Sequence, residues 1–410
     1  MAQFDLAAAD AILKENYLPP IREQMNLSTP FLAEVQRNTE NVSGKRVYLP
    51  LHISRAENVG ARAEYGDLPT ARPQGYIESV FNVKYNYARI ELTLPTIKAT
   101  KDDKGSFLRA VESETKGAMN ELKEDFNRQL VANDSTGSGA LAQVADAEAS
   151  AQTVLSLGEP AGTGVTKATF RRLRVGMFVD VYDDVDGTPA LIADGVEITA
   201  IDKVNETVTL ASGITADADD ATFIYRQDAK DNELVGLVGI VSDTGELQGV
   251  DPADAGSEPW AATVNDNGGT PRALSEDLMQ QVEDDVFDES GEETTHILTD
   301  STQRRKFYAL LQSQKRAVNT QELKGGFKAL TFNDNTPIMV DRFVDSDRMY
   351  FLNMPHLSIF EMADWDWADL DGSVLSRVAN KPGFEAWLYK YAELGTDKRN
   401  SHGVITDLTE

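Results

Sequence analysis

Two runs decide the fold: Arg46-Val47-Tyr48-Leu49-Pro50-Leu51-His52-Ile53-Ser54 and Ile77-Glu78-Ser79-Val80-Phe81-Asn82-Val83-Lys84-Tyr85-Asn86-Tyr87. In the first, Val47, Leu49, Leu51 and Ile53 share one face; in the second, Ile77, Phe81, Val83, Tyr85 and Tyr87 do. Between them, residues 57–75 are rich in glycine, proline and arginine, with the tip Glu64-Tyr65-Gly66-Asp67-Leu68-Pro69. Period-two alternation on both sides of a turn-rich segment predicts a β-hairpin. At about 3.3 Å per residue the return strand reaches roughly 35 Å. An isolated two-stranded ribbon is marginally stable in water. The apolar face of such an arm is therefore expected to lie on another surface, including that of a neighbouring subunit.

Working outward, Ile90, Leu92 and Leu94 alternate in the opposite phase, which predicts a bulge or bend at Ala88–Arg89. A helix is expected over Ser106–Val131, with Ser106 as N-cap behind Asp102 and Asp103. Phe107, Val111, Ala118, Leu122, Phe126 and Leu130 form its apolar stripe, widened by Leu108 and Met119. On the other side of the hairpin, residues 1–45 offer a short amphipathic helix (Phe4, Leu6, Ala9, Ile12, Leu13) and a patch at Met25, Leu27, Phe31 and Leu32. That is too little for a core, so this segment reads as an arm packed elsewhere.

Beyond the helix, residues 140–164 are rich in Ala, Ser and Gly and read as a linker. Short strands are then expected at Leu173–Tyr182, Val196–Ile201, Thr207–Leu210 and Thr222–Arg226, forming a small β-rich domain inserted over residues 157–230. Leu234–Val241 reads as an apolar strand whose glycines permit close backbone approach. Helices follow at Leu274–Val286 and Gln303–Val318, the second bearing Arg304, Arg305 and Lys306. Strands are expected at Thr295–Thr299, Thr336–Val340, Met349–Leu352, Ser358–Met362 and Phe384–Leu394. Helices and strands mix without βαβ repetition, which predicts an α+β fold.

The 410 residues carry a formal net charge of -28, unevenly placed. Residues 1–134 hold 17 Lys+Arg and 19 Asp+Glu (17 − 19 = -2), leaving 39 − 17 = 22 basic and 67 − 19 = 48 acidic groups, a net of -26, in the remainder. The near-neutral part can pack against copies of itself; the acidic part prefers solvent and argues against direct nucleic-acid recognition. Solubility is one reading of the acidity and adaptation to high salt another. There are no cysteines, so disulfides and thiolate chemistry are excluded. No apolar run is long enough to span a membrane, and the N-terminus lacks signal-peptide features.

Catalytic motifs are sparse. His52, His296, His356 and His402 lack metal-ligand spacing, and no phosphate-cradling loop or nucleophile elbow is present. The acidic runs Asp180–Asp186 and Asp364-Trp365-Asp366-Trp367-Ala368-Asp369-Leu370-Asp371 miss the EF-hand register. Asp364, Asp366, Asp369 and Asp371 are the best metal candidates, and a solvated turn is the plainer reading. Trp365 and Trp367 read as packing. No cofactor is implied, and the pattern is not that of an enzyme.

The order of arm, long hairpin loop with its Ala61–Pro69 tip, return strand and long helix resembles the major capsid protein of tailed double-stranded DNA viruses, with the Hong Kong 97-like fold. The resemblance covers most of the chain. It implies an N-terminal arm (1–45), an extended loop (46–94), a peripheral domain with the spine helix (95–156), an inserted domain (157–230), an axial domain (231–378) and a return strand with the C-terminus (379–410). It implies hexamers and pentamers in an icosahedral shell around packaged DNA, assembled in a host cytoplasm. Separate scaffold and portal proteins are implied as partners, with a cement protein a candidate for the inserted domain. Expected subunit-contact residues are Arg62, Tyr65, Leu68, Pro69, Phe81, Tyr85, Phe107, Leu122 and Phe126. Lys45 and Lys84 lie near the arm without being marked as crosslinking residues. An encapsulin-like nanocompartment is the alternative on the same fold, and an acidic hydrolase or binding protein the alternative outside it.

Overall fold

The structure, a computed structural model, describes residues 29–95, 104–135, 138–158, 165–183, 189–313, 320–322, 328–333, 336–369, 376–378 and 381–410. The helix expected around Phe4–Leu13 lies outside these residues, as do Met25 and Leu27. Phe31 is fully buried in a short helix, Pro30–Glu34. Proline fits at that first position because its missing N–H would have no helical partner there.

The hairpin forms as expected. Arg46–Ser54 pairs antiparallel with Gly75–Asn82, and Val42–Ser43 adds a third strand. Val47, Leu49 and Leu51 are buried in the main core of the same chain. The need for outside cover therefore falls on the tip alone, not on the whole arm.

The return run breaks at Val83 rather than at Ala88–Arg89. A separate strand, Lys84–Thr93, leaves the hairpin and pairs with Gly383–Thr396. Parity flips with the change of sheet: Val83 is buried, then Asn86, Ile90 and Leu92 are, while Tyr85 and Tyr87 face outward. Tyrosine hides such a slip, because its ring counts as apolar while its hydroxyl belongs in water. The resulting sheet runs Gln36–Asn38, Leu357–Trp367, Gly383–Thr396, Ser376–Arg377, with Lys84–Thr93 along Gly383–Thr396.

The long helix spans Lys104–Ala132, so Ser106 stands inside it and is not its N-cap. Phe126, Leu130 and Val131 enter the main core, and Ala118 packs with Ile90 and Ala386. The helix thus covers the sheet face that carries Ile90 and Ala386. The opposite face carries the tyrosines.

Residues 140–158 do not form a linker. Ala140–Val144 and Val154–Gly158 are strands of a closed six-stranded barrel completed by Phe178–Asp183, Ala190–Asp202, Thr207–Leu210 and Thr222–Arg226. Leu141, Ala142, Val144, Leu155 and Leu157 supply part of its core; the alanines, serines and glycines around them mask the strand pattern in the sequence. The expected strand at Leu173–Tyr182 begins only at Phe178, behind a short helix, Lys167–Arg172, capped by Thr166 and Thr169.

Leu234–Val241 contains a short helix, Leu237–Ile240, instead of a strand. Its glycines do permit close approach: a Cβ on Gly236 would lie 2.5 Å from the Gln129 carbonyl oxygen at the end of the long helix. The last region is a seven-stranded mixed sheet ordered Thr263–Asn265, Gly403–Ile405, Met349–Leu352, His296–Thr299, Thr336–Val340, Lys328–Phe332, Thr320–Glu322. Helices Glu276–Ser290 and Ser301–Ser313 contribute to its core. Past the Gly383–Thr396 strand, the chain enters this sheet through Gly403–Ile405. The whole is α+β, as expected.

Candidate functional site

Residues 55–74 form the tip of the hairpin, and almost all of them are exposed. Its charges cancel: Arg55, Arg62 and Arg72 against Glu57, Glu64 and Asp67 (3 − 3 = 0). Tyr65 is 97% exposed, and Leu68 and Val59 are each 87% exposed. A monomer gains nothing by holding three large apolar side chains in water. Arg62, one of the expected contact residues, orders the tip: its Nε donates to the Asp67 carbonyl at 2.8 Å and its Nη1 to the Ala61 carbonyl at 3.0 Å. The Gly66 N–H donates to the Ala63 carbonyl at 2.9 Å and closes the turn beneath Tyr65. Pro69 is half-buried within the tip.

A second exposed surface lies on the sheet face opposite the long helix. Tyr85 stands across from Tyr391 and Tyr87 across from Tyr389. Ring centroids lie 4.9 Å apart for Tyr85–Tyr391, 5.8 Å for Tyr87–Tyr391 and 5.0 Å for Tyr389–Tyr391. The Tyr87 and Tyr391 hydroxyls are 3.2 Å apart, a hydrogen bond that raises the Tyr391 phenol to about 12. Tyr85 and Tyr87 remain exposed. Of this ladder only Tyr85 was expected as a contact residue. The register of Lys84–Thr93 against Gly383–Thr396 joins it to the others, and that pairing is invisible in either strand alone.

Three other expected contact residues, Phe81, Leu122 and Phe126, pack within the chain itself. Phe126 is fully buried and Leu122 nearly so, which corrects their assignment to a subunit contact. Phe81 packs edge-on against Phe360 at 5.5 Å. The helical residue Phe107 has its side chain outside the described residues.

The acidic run near Asp364 is held by cations: Arg37 and Lys390 both reach Asp364, at 3.2 and 3.0 Å. Asp366 and Asp369 are exposed, and Asp371 lies outside the described residues. Among the described residues no three His, Cys, Asp or Glu side chains converge as a metal set. His356 bridges Asp397 (2.8 Å) and Glu292 (2.7 Å), whose hydrogen bonds raise the imidazole above its usual range. His402 is buried, and burial lowers it to about 3.

The barrel is seated on the body by arginines. Arg172 pairs with Asp345 at 2.7 Å, Arg171 with Asp300 at 3.3 Å, Arg174 with Glu124 at 2.6 Å and Arg226 with Asp125 at 3.2 Å. These cations sit where the barrel meets the long helix and the mixed sheet. With them committed to the seat, the rest of the barrel is left predominantly acidic.

The fold has solved counterparts. The structure superposes on the cyanophage A-1(L) capsid asymmetric unit with a TM-score of 0.60 at 13% identity, covering 97% of this chain and 98% of that one. For the capsid of a native GTA particle the TM-score is 0.50 at 9% identity, covering 99% of each chain. The holo-SrpI encapsulin complex from Synechococcus elongatus PCC 7942 aligns at 0.48 with 8% identity, covering 100% and 96%. No curated protein matches the chain. At the level of sequence, the model of the SU10 major capsid protein family matches residues 98–409. That span is 312 of 410 residues (409 − 98 + 1), and the protein accordingly belongs to the SU10 major capsid protein family.

Proposed function

We propose that the chain assembles through its hairpin tip, each tip docking on the tyrosine ladder of a neighbouring copy, into hexamers and pentamers of an icosahedral shell around packaged double-stranded DNA. One observation carries this reading: an ordered tip with Val59, Tyr65 and Leu68 uncovered by its own chain. Strand Gly75–Asn82 separates the tip from the ladder of the same protomer by about 25 Å of extended chain. Aromatic faces suit a tip that contains Tyr65, Leu68 and Pro69. The subunit works as a structural protein with no reaction of its own.

Genome enclosure here needs no base readout, and the acidity of residues 135–410 suits a shell that holds DNA without gripping it. The acidic barrel, standing out from its arginine seat, suits the shell exterior as a landing place for a cement protein. Scaffold and portal proteins complete the set of partners. Membership of a phage capsid family favours a virion shell over an encapsulin-like compartment.

Two measurements test this. Negative-stain microscopy of sedimented material in high and low salt should show closed shells, rings or tubes, and a compact monomer in every condition would overturn the assembly reading. A photo-crosslinking residue at position 65 should then join peptides containing 84–93 or 383–396 of a second copy. Crosslinks confined to other peptides would remove the ladder as the receptor and leave the shell standing.

A further inference from the structure

We infer that helix Ser301–Ser313 docks on helix Glu276–Ser290 of a second copy of this chain, in a head-to-tail contact that repeats around a ring. The inference rests on the assembly reading above and names a contact separate from the tip and the ladder. On helix Ser301–Ser313, Arg304 and Arg305 lie one turn before Tyr308, which is 41% exposed. The arginines of the barrel seat each hold a carboxylate. Among the described residues neither Arg304 nor Arg305 has one within ion-pair distance, and Arg305 makes a long hydrogen bond to Thr302 Oγ1 at 3.5 Å. On helix Glu276–Ser290, Asp284, Phe287 and Asp288 share one face by their spacing of three and four. Phe287 is 49% exposed. Asp284 accepts from the Gln280 amide at 2.8 Å, and among the described residues neither aspartate meets a cation.

The two faces match. Each centres on one aromatic ring flanked by two like charges at helical spacing, positive on one helix and negative on the other. Tyrosine and arginine are among the residues that carry most of the energy in protein contacts. Opposed charges add register and exclude like-charged partners. A second copy is the occupant because the chain carries both halves of the match itself. Their placement allows the contact. Glu276–Ser290 packs on Gly403–Ile405 and Thr263–Asn265 at one edge of the seven-stranded sheet, whereas Ser301–Ser313 packs on Thr336–Val340, beyond His296–Thr299. One protomer thus presents the two halves at different places, and each copy can hold two neighbours at once. A contact between unlike patches closes into a ring when its rotation permits.

The test sediments the full chain and its variants under the conditions in which wild type forms particles. Arg304→Glu with Arg305→Glu, and separately Asp284→Lys with Asp288→Lys, should each lower the particle yield at least about tenfold. Circular dichroism checks that the protomers stay folded. All four changes in one chain should restore assembly, since every contact then meets with its charges exchanged. An equimolar mixture of the two paired variants should build even-membered rings by alternation and no odd-membered ones, where two like-charged faces must meet. The chain has no cysteines, so Phe287→Cys with Tyr308→Cys should give a ladder of disulfide-linked copies on oxidation. Wild-type particle yield from both paired variants, no recovery in the folded four-fold variant, or monomers alone on a non-reducing gel would each overturn this contact without touching the assembly reading. A wild type that stays monomeric would overturn the assembly reading, and this contact with it.

Discussion

Lys390 Nζ lies 2.6 Å from Glu361 Oε1, in a lysine only 1% exposed that stands 4.9 Å from the centre of the Trp365 ring and 5.6 Å from that of Phe126. Arg37 reaches the same two carboxylates, Glu361 at 3.6 Å and Asp364 at 3.2 Å. The N-terminal strand Gln36–Asn38, which adds to Leu357–Trp367 over three residues, is thereby tied to the middle of the sheet. Breaking one partner of a buried pair leaves an uncompensated charge and costs about 3–5 kcal/mol. Lys390→Met should lower stability by that order in urea unfolding, and adding Glu361→Met should restore most of it. A single variant within about 1 kcal/mol of wild type would show that the pair contributes little.

Glu393 gives a pH dependence. Burial raises its carboxyl from 4.5 to about 8, against the Val235 and Leu394 N–H groups that its Oε1 accepts at 2.8 and 3.0 Å. With the folded value above the unfolded one, its contribution is fully present below about 4.5 and is lost as pH rises through about 8. Glu393→Gln keeps the accepting oxygen and removes the titration. The variant should match wild type near pH 4.5 and become more stable by about 2–4 kcal/mol at pH 8. Unfolding curves at pH 5, 6.5 and 8 measure the divergence; parallel curves would contradict it.

Gly239 marks the closest approach of the short helix to the end of the long one. A Cβ there would lie 2.1 Å from the Ser135 nitrogen and 2.4 Å from the Asp134 carbonyl carbon. Gly239→Ala should cost about 1–3 kcal/mol or more, because backbone must move. Gly117, inside the long helix with open space at its Cβ, is the matched control. Gly117→Ala should gain about 0.5–1 kcal/mol from helix propensity. Thermal melts of the pair, shifting in opposite directions, are the expected result.

The tip separates folding from assembly. Tyr65→Ser with Leu68→Ser touches two side chains exposed almost to the full, so the unfolding midpoint should stay within about 0.5 kcal/mol of wild type. Sedimentation should show fewer closed particles at the same concentration. A large loss of protomer stability would mean that the tip packs on its own chain.

The sequence was most legible where one face of an element is wet. Val47, Leu49 and Leu51 announced both the strand and its buried side, and the long helix followed from its stripe from Ala118 to Leu130. Legibility failed where burial is all round or where partners are distant. Leu141 and Leu155 sit among alanines and serines that read as linker until the barrel closes on them. Tyr85 and Tyr87 read as continuing the face of Val83, because nothing local reveals that the chain changes sheets there. The arginine seat of the barrel is the clearest case of distance: Arg171 and Arg226, with their partners Asp300 and Asp125, come from four segments and meet only through the fold.

A shell places many copies of one chain side by side, which is the condition under which unpaired strand edges recruit one another into unwanted sheets. The barrel answers that hazard by topology. Its six strands close on themselves, so a crowded lattice meets a surface of side chains and no open ladder of backbone donors and acceptors. Carboxylates on such a surface keep neighbouring lobes apart. The lobe can thus carry acidic loops without offering a neighbouring copy a strand edge to pair with.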